Sequence, residues 1–272
     1  MKSKTGYLAL LYLLFLLLLF ASGSLGGVIS DVVYFLAFLL PLGIALLRER
    51  LSGKGACTSL LGIGSRAAGL VAPLVIPTVV LIYFISVMTS SVIYSLFGAV
   101  NAVDLGENIW LAFLLHALLP ALLEELLFRY LPLRIFGRES YPTMIVVSAL
   151  FFALVHCDLF VIPYAFVAGV IFMAVDVMAC SIWPSVMLHV INNAISVIMV
   201  FNFENAKVIS AMWLIMAVGF AASLLVVLKK RREYKSEITK IISAEPIRLG
   251  AEVLYLAVPT LVLAIEDFVS KI

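Results

Sequence analysis

Apolar runs of about 20 residues, repeated along the chain, leave few folds open, because that is the length a helix needs to cross the hydrocarbon of a bilayer. Such runs occupy approximately 6–23, 28–47, 68–92, 109–131, 142–157, 159–179, 182–202 and 208–228. They are continuous rather than alternating, so they predict helices and not the strands of a membrane barrel. Composition agrees. Of the 272 residues, 64% are hydrophobic and 12% charged, against roughly 25% charged in a soluble domain. Too little polar side chain is present to cover a water-facing surface. The expected fold class is all-α, a polytopic membrane protein with about eight transmembrane helices around a cavity opening to the cytoplasm.

The breaks between runs carry turn residues, as in Gly23-Ser24-Leu25-Gly26-Gly27 and Phe203-Glu204-Asn205. Basic residues alternate with them. Lys2 and Lys4 precede the first run, and Arg48, Arg50, Lys54 and Arg66 follow the second. Arg134 and Arg138 follow the fourth, and Lys229-Lys230-Arg231-Arg232 the eighth. The alternate loops hold Asp104, Glu107, Asp158 and Glu204, with Lys207 against the trend. Cytoplasmic loops carry the excess of Lys and Arg, so an even number of spans with both termini in the cytoplasm satisfies every basic cluster. In a prokaryote that membrane is the plasma membrane.

One transmembrane domain, 1–232, is expected. Its first run is a retained signal anchor, since the apolar stretch is long and many spans follow. A cytoplasmic or membrane-surface tail, 233–272, completes the chain. Its apolar stretch 253–265 is short, interrupted by Pro259 and closed by Glu266 and Asp267; a ninth span is the alternative. The net charge of +2 gives no reason to expect a nucleic-acid partner, and membrane lipid is the expected surrounding. Cys57, Cys157 and Cys180 lie far apart without CxxC spacing, so they suggest neither a disulfide framework nor a thiolate metal site.

Charge inside such runs is expensive and marks function. The segment 118–129, LLPALLEELLFR, holds Glu124, Glu125 and Arg129. On a helix Glu125 and Arg129 are four apart and pair on one face. Glu124 is rotated by ~100° and lacks a basic partner four residues on, which suits it to general acid or base work. The pair alone reads equally as an ion network fixing helix packing. His156 ends the fifth run, and a lone histidine there is more often a satisfied core residue. His189 and Asn193 share a face of the seventh run, as helix–helix glue or as two donors toward one polar target. At ~1.5 Å rise per residue, Glu124 and His156 reach similar depth from the loop near 132–142. His189 enters from the same side. His116 is expected to be peripheral or structural, Asp176 to partner a cytoplasmic arginine, and Pro120 to kink the fourth helix.

Taken together, Glu124-Glu125-x-x-x-Arg129, Phe152-x-x-x-His156 and His189-x-x-x-Asn193, in that order on three runs, resemble the CAAX prenyl protease 2 family. This is the CPBP or ABI family of intramembrane endopeptidases, with bacterial members linked to bacteriocin self-immunity and peptide processing. The segment from Phe166-Val167-Ala168-Gly169 to Ser181-Ile182-Trp183-Pro184 resembles the family's approach to its third motif. The resemblance covers about 108–200, the catalytic core it implies.

It implies a hydrolase in which Glu124, assisted by His156, activates a water against a peptide carbonyl. His189 and Asn193 donate to the oxyanion, a role worth ~3 kcal/mol per donor. Glu125 and Arg129 secure the helix, and Phe152 packs behind His156. The implied partner is a peptide or membrane-protein substrate, with or without a lipid. Glu124, His156 and His189 are also a ligand set for catalytic zinc. The absence of HExxH spacing and the poor ligand Asn193 favour a metal-free glutamate mechanism. Two other readings stand beside the protease. One is a non-catalytic membrane scaffold or bacteriocin-immunity-type protein of the same fold. The other, less favoured, is a proton-coupled transporter, against which the sequence shows no internal repeat.

Overall fold

The structure, a computed structural model, describes residues 4–51, 65–99, 105–136, 141–243, 247 and 249–271. Lys2, Lys54, Cys57, Asp104 and Arg138, with the side chain of Arg66, lie outside the described residues. Among the described residues there are helices and no strand. The protein is an all-α polytopic membrane protein, and eight helical stretches are long and apolar enough to cross a bilayer.

The first two runs form α1 (Lys4–Gly23) and α2 (Gly27–Leu51), joined by a turn in which Gly27 takes φ +59°. The third forms α3 (Ser65–Val71), a tight turn at Ala72–Leu74 and α4 (Val75–Phe97). Gly98 ends α4 in the left-handed conformation, its N–H bonding the Tyr94 carbonyl, the cap that glycine makes without a Cβ clash.

The fourth run, Ile109–Phe136, is one crossing in five pieces. Asn108 caps it, its Oδ1 accepting from the N–H groups of Trp110 and Leu111 at 2.9 and 3.2 Å. Then follow α5 (Ile109–Ala112), a π turn at Phe113–Leu118, α6 (Leu119–Glu125), a second π turn at Leu126–Tyr130, and α7 (Leu131–Phe136). Pro120, expected to kink this helix, stands in the first turn of α6. A proline clashes with the carbonyl four residues back, here His116, and the first π turn widens the helix at that point.

The remaining elements are α8 (Tyr141–Leu154), α9 (Ile162–Ala179), α10 (Trp183–Phe201), α11 (Ala206–Lys229), α12 (Arg231–Ile242) and α13 (Leu254–Ser270). At 14 residues α8 is shorter than the others that cross. It packs closely on α9. A Cβ placed on Gly169 would sit 2.8 Å from the Ala149 Cα, so the two backbones touch there, as small residues allow in membranes. Gly169→Ala must push α8 and α9 apart and is expected to destabilise by about 1–3 kcal/mol. The check is thermal unfolding in detergent; an unchanged melting temperature would show that the helices do not meet at this point.

The widened turn at Leu126–Tyr130 is also a docking point. Tyr12 of α1 donates to the Leu127 carbonyl at 3.1 Å, and Ser148 of α8 donates to the Phe128 carbonyl. Inside hydrocarbon, backbone polar groups must find partners within the protein, and here two neighbouring helices supply them. The rings of Tyr12, Phe15 and Phe151 pack around this turn, with Phe128 4.7 Å from Tyr12.

The two ends of the bundle are marked by polar contacts. At one end Lys4 donates to the Phe136 carbonyl at 2.7 Å, Arg134 pairs with Glu49, Lys230 donates to the Gly69 carbonyl and Tyr234 to that of Leu70. At the other, Lys271 pairs with Asp158 at 3.3 Å and with Asp267 at 2.7 Å, while Phe268 meets Phe97 edge to face. Among the described residues, Lys4 and Lys271 therefore lie at opposite ends of the bundle.

The cause is α13. Residues 233–272 were expected as a cytoplasmic or membrane-surface tail, with a ninth span as the alternative; by length and composition Ala251–Ser270 suffices to cross, and α13 packs on α1 and α8. Pro259 is carried within α13, where the next residue, Thr260, is fully buried. Asp267 pairs with Lys271 at the last turn, so the carboxylates that close the apolar stretch in the sequence sit at its polar end.

Candidate active site

The second π turn, α6, α9, α10 and the end of α8 bring the candidate side chains together. Glu125 and Arg129 are fully buried. They form the predicted pair, Glu125 Oε2 to Arg129 Nε, at 3.1 Å. The guanidinium lies over the Phe152 ring at 4.4 Å and near that of Phe172 at 5.6 Å, where ring faces favour a cation. Phe152 therefore packs against Arg129 as well as against His156, whose ring is 5.1 Å away.

The other oxygen of Glu125 has a second partner. His189 Nδ1 donates to Glu125 Oε1 at 2.8 Å. The imidazole is held between the rings of Phe152 and Phe172, 5.8 and 5.4 Å away. With Nδ1 committed to a carboxylate, Nε2 is the nitrogen offered to the site, and it faces Glu124 Oε2 at 3.8 Å. Glu124 is partly exposed, with 19% of its side chain accessible. Four-residue spacing assigns Glu125 to Arg129 alone; the fold makes it the link between arginine and histidine.

Glu124 meets His189, and among the described residues no hydrogen bond or ion pair joins it to His156. The depth count treated 142–157 as one helix, but α8 ends at Leu154. His156 lies in the turn beyond, before Cys157 at φ +49°. Its Nδ1 is 2.7 Å from the Phe152 carbonyl. A carbonyl only accepts, so Nδ1 carries the proton and Nε2 is free. Asn193 lies one turn past His189 on α10. Its Oδ1 accepts from the Asn192 amide at 3.2 Å, which leaves the Asn193 N–H groups to donate.

Asp176 departs from expectation. It is fully buried and pairs with no cytoplasmic arginine among the described residues. Its carboxylate accepts from the N–H and the hydroxyl of Ser185 at 3.0 and 2.6 Å. The reversal at Cys180, φ +52°, folds α10 back so that Ser185 meets the last turn of α9. Sequence reasoning missed Ser185 and Phe172. The signal available was an acid in an apolar run with no base four residues away. His116 is exposed on the first π turn.

For the zinc alternative, three ligands must converge. Among the described residues no group of three His, Cys, Asp or Glu is arranged to hold a metal ion, and Glu124, His156 and His189 as placed here do not form one.

Apolar helices of crossing length, enclosing two carboxylates, an arginine and an imidazole in contact, define a polytopic membrane protein with a charged cluster inside its bundle. Residues 106–195, which contain every side chain of the three motifs, match a family model described as Rce1-like, type II CAAX prenyl endopeptidase. The match supports the CAAX protease/CPBP family to which the motifs point, and with it an intramembrane CAAX-endopeptidase type of function in general terms. Comparison with curated proteins and with solved structures returns no match.

Proposed function

We propose that the protein is an intramembrane endopeptidase in which Glu124 activates the hydrolytic water. The observation that carries this reading is the line Arg129–Glu125–His189–Glu124, with successive separations of 3.1, 2.8 and 3.8 Å. A buried carboxylate that orients an imidazole toward a second, more accessible acid–base group is the arrangement general-base hydrolysis requires.

In this scheme the water oxygen attacks the scissile carbonyl carbon and its proton passes to Glu124. His156 Nε2 accepts the second hydrogen bond of that water and aims it. The oxyanion receives the amide N–H of Asn193. In its neutral form, with the proton on Nδ1 toward Glu125, His189 does not donate to it from the start. It becomes a donor when Glu124 hands a proton to Nε2, and Glu125 then stabilises the imidazolium. Collapse of the tetrahedral intermediate breaks the C–N bond, and the same proton leaves with the amine. The end of the bundle bearing Lys4, Arg134 and Lys230 is the cytoplasmic one on the positive-inside rule, and the substrate is a peptide or membrane protein reached from that side.

The test is cleavage by purified protein in liposomes, using a farnesylated CaaX peptide and the same peptide without the prenyl group. Cleavage of at least one is expected to persist with a chelator, and Asn193→Ala is expected to lower kcat by about 10²-fold with little change in KM. Activity lost on chelation and restored by zinc would replace the metal-free scheme. Failure to cleave either peptide, with the protein intact, would favour the scaffold.

A further inference from the structure

We propose that Asp176 is a positioning residue for His189, acting through Ser185; its bearing on catalysis rests on the protease reading above. The reasoning begins with the unpaired N–H groups of a helix start. The first N–H groups of α10 have no partner within the helix, and Ile182, which stands at the cap position, offers no side-chain acceptor. The fold supplies each missing partner. Trp183 N–H reaches Ser181 Oγ at 3.3 Å, Pro184 has no N–H, and Ser185 N–H reaches Asp176 at 3.0 Å. An acid from the preceding helix thus does what a capping residue normally does locally, with its charge at the favourable end of the α10 dipole.

Asp176 holds both sides of the corner. Its backbone carbonyl accepts from Ser181 N–H at 3.2 Å, closing the end of α9, while its carboxylate holds the start of α10. Ser185 and His189 are four residues apart, one turn, on the same face of α10. The clamp therefore sets the rotation of α10 one turn before the imidazole that meets Glu125. A side-chain atom ~6 Å from a helix axis moves about 2 Å when the helix turns by roughly 20°. That displacement is enough to break the 2.8 Å bond from His189 to Glu125.

The substitutions separate this role from bulk or charge. Asp176→Asn keeps the clamp, because its Oδ1 accepts the Ser185 N–H while its amide donates to Ser185 Oγ. The hydroxyl then gives its hydrogen to the Ile182 carbonyl, which already lies 2.9 Å away. Asp176→Ala removes the clamp, and Ser185→Ala removes half of it.

The chain has three histidines, so 15N-histidine labelling of the full protein in detergent micelles gives three imidazoles, assigned with His116→Gln, His156→Gln and His189→Gln. The wild type is expected to show a His189 Nδ1-bound proton protected from exchange with water. Asp176→Ala is expected to lose that protected proton, Ser185→Ala to exchange it at least tenfold faster, and Asp176→Asn to keep it. The His156 signals and the melting temperature report whether each variant is folded. If Asp176→Ala does not fold, Ser185→Ala and Asp176→Asn decide the matter between them. An unchanged His189 proton in Ser185→Ala or in folded Asp176→Ala overturns the proposal, as does its loss in Asp176→Asn. In the peptide assay, kcat of Asp176→Ala should fall about 10²-fold with KM held and Asp176→Asn near wild type. A wild type that cleaves neither peptide while its His189 proton follows this pattern refutes the protease and leaves the positioning role standing.

Discussion

Glu124→Gln is expected to lower kcat by roughly 10²–10⁴-fold, the range that a positioned general base supplies, without lowering the melting temperature. Glutamine has the shape of glutamate but cannot take a proton from water. The side chain is partly exposed and its contact with His189 is 3.8 Å long, so little packing depends on its charge. Activity and stability should therefore separate cleanly at this position. A Glu124→Gln protein that still cleaves at a tenth of the wild-type rate or better would remove Glu124 from the chemistry.

The neighbouring pair should behave in the opposite way. Arg129→Met leaves Glu125 as a buried carboxylate without its cation, a change that typically destabilises by about 3–5 kcal/mol. Glu125→Gln strands the guanidinium in the same manner. The double variant Glu125→Gln/Arg129→Met removes both charges and is expected to recover most of that loss, because replacing a buried pair by neutral groups of similar volume is often close to neutral. Cleavage should not recover with stability. A glutamine behind His189 can offer its N–H₂ instead of its oxygen, which selects the wrong tautomer, the reason that such a change is severe in acid–imidazole dyads. Unfolding in detergent and peptide cleavage, measured on the same samples, check both halves. A double variant as unstable as the singles would show that the pair is held by something other than mutual neutralisation.

Much of this could be read in the chain before any coordinates. The crossings came from run length, because hydropathy needs no tertiary information. The Glu125–Arg129 pair came from four-residue spacing. What could not be read were the relations between helices. That His189 reaches across to Glu125 depends on how α10 is rotated, which is set at a corner by Asp176 and Ser185 from different helices. Glu124 faces His189 rather than His156 for a local reason: the helix stops at Leu154, three residues before the end of its apolar run. The last helix, α13, stood only as the ninth-span alternative for another reason. Pro259 and the carboxylates Glu266 and Asp267 look like interruptions, yet Asp267 meets Lys271, four residues on, at the polar end of the span. The phase of 109–136 was also hidden, since a count of 100° per residue assumes α geometry, and two of its five pieces are π turns.

Those π turns give the crossing an arithmetic of its own. A π turn bonds residue i to i+5, so it accommodates one more residue than the α turn it interrupts. Substitutions within Leu126–Tyr130 change one side chain at a time. Removing a single residue there lets the helix close into α geometry with the segments on either side kept in phase, because the extra residue is wound into the same turn. The carboxylates lie before the turn and α7 lies after it, anchored at its far end where the Lys4 amine meets the Phe136 carbonyl. One deletion would thus leave Glu125 facing His189 but close the widened turn whose carbonyls receive Tyr12 and Ser148. In this segment the number of residues is as much a part of the packing as their identity.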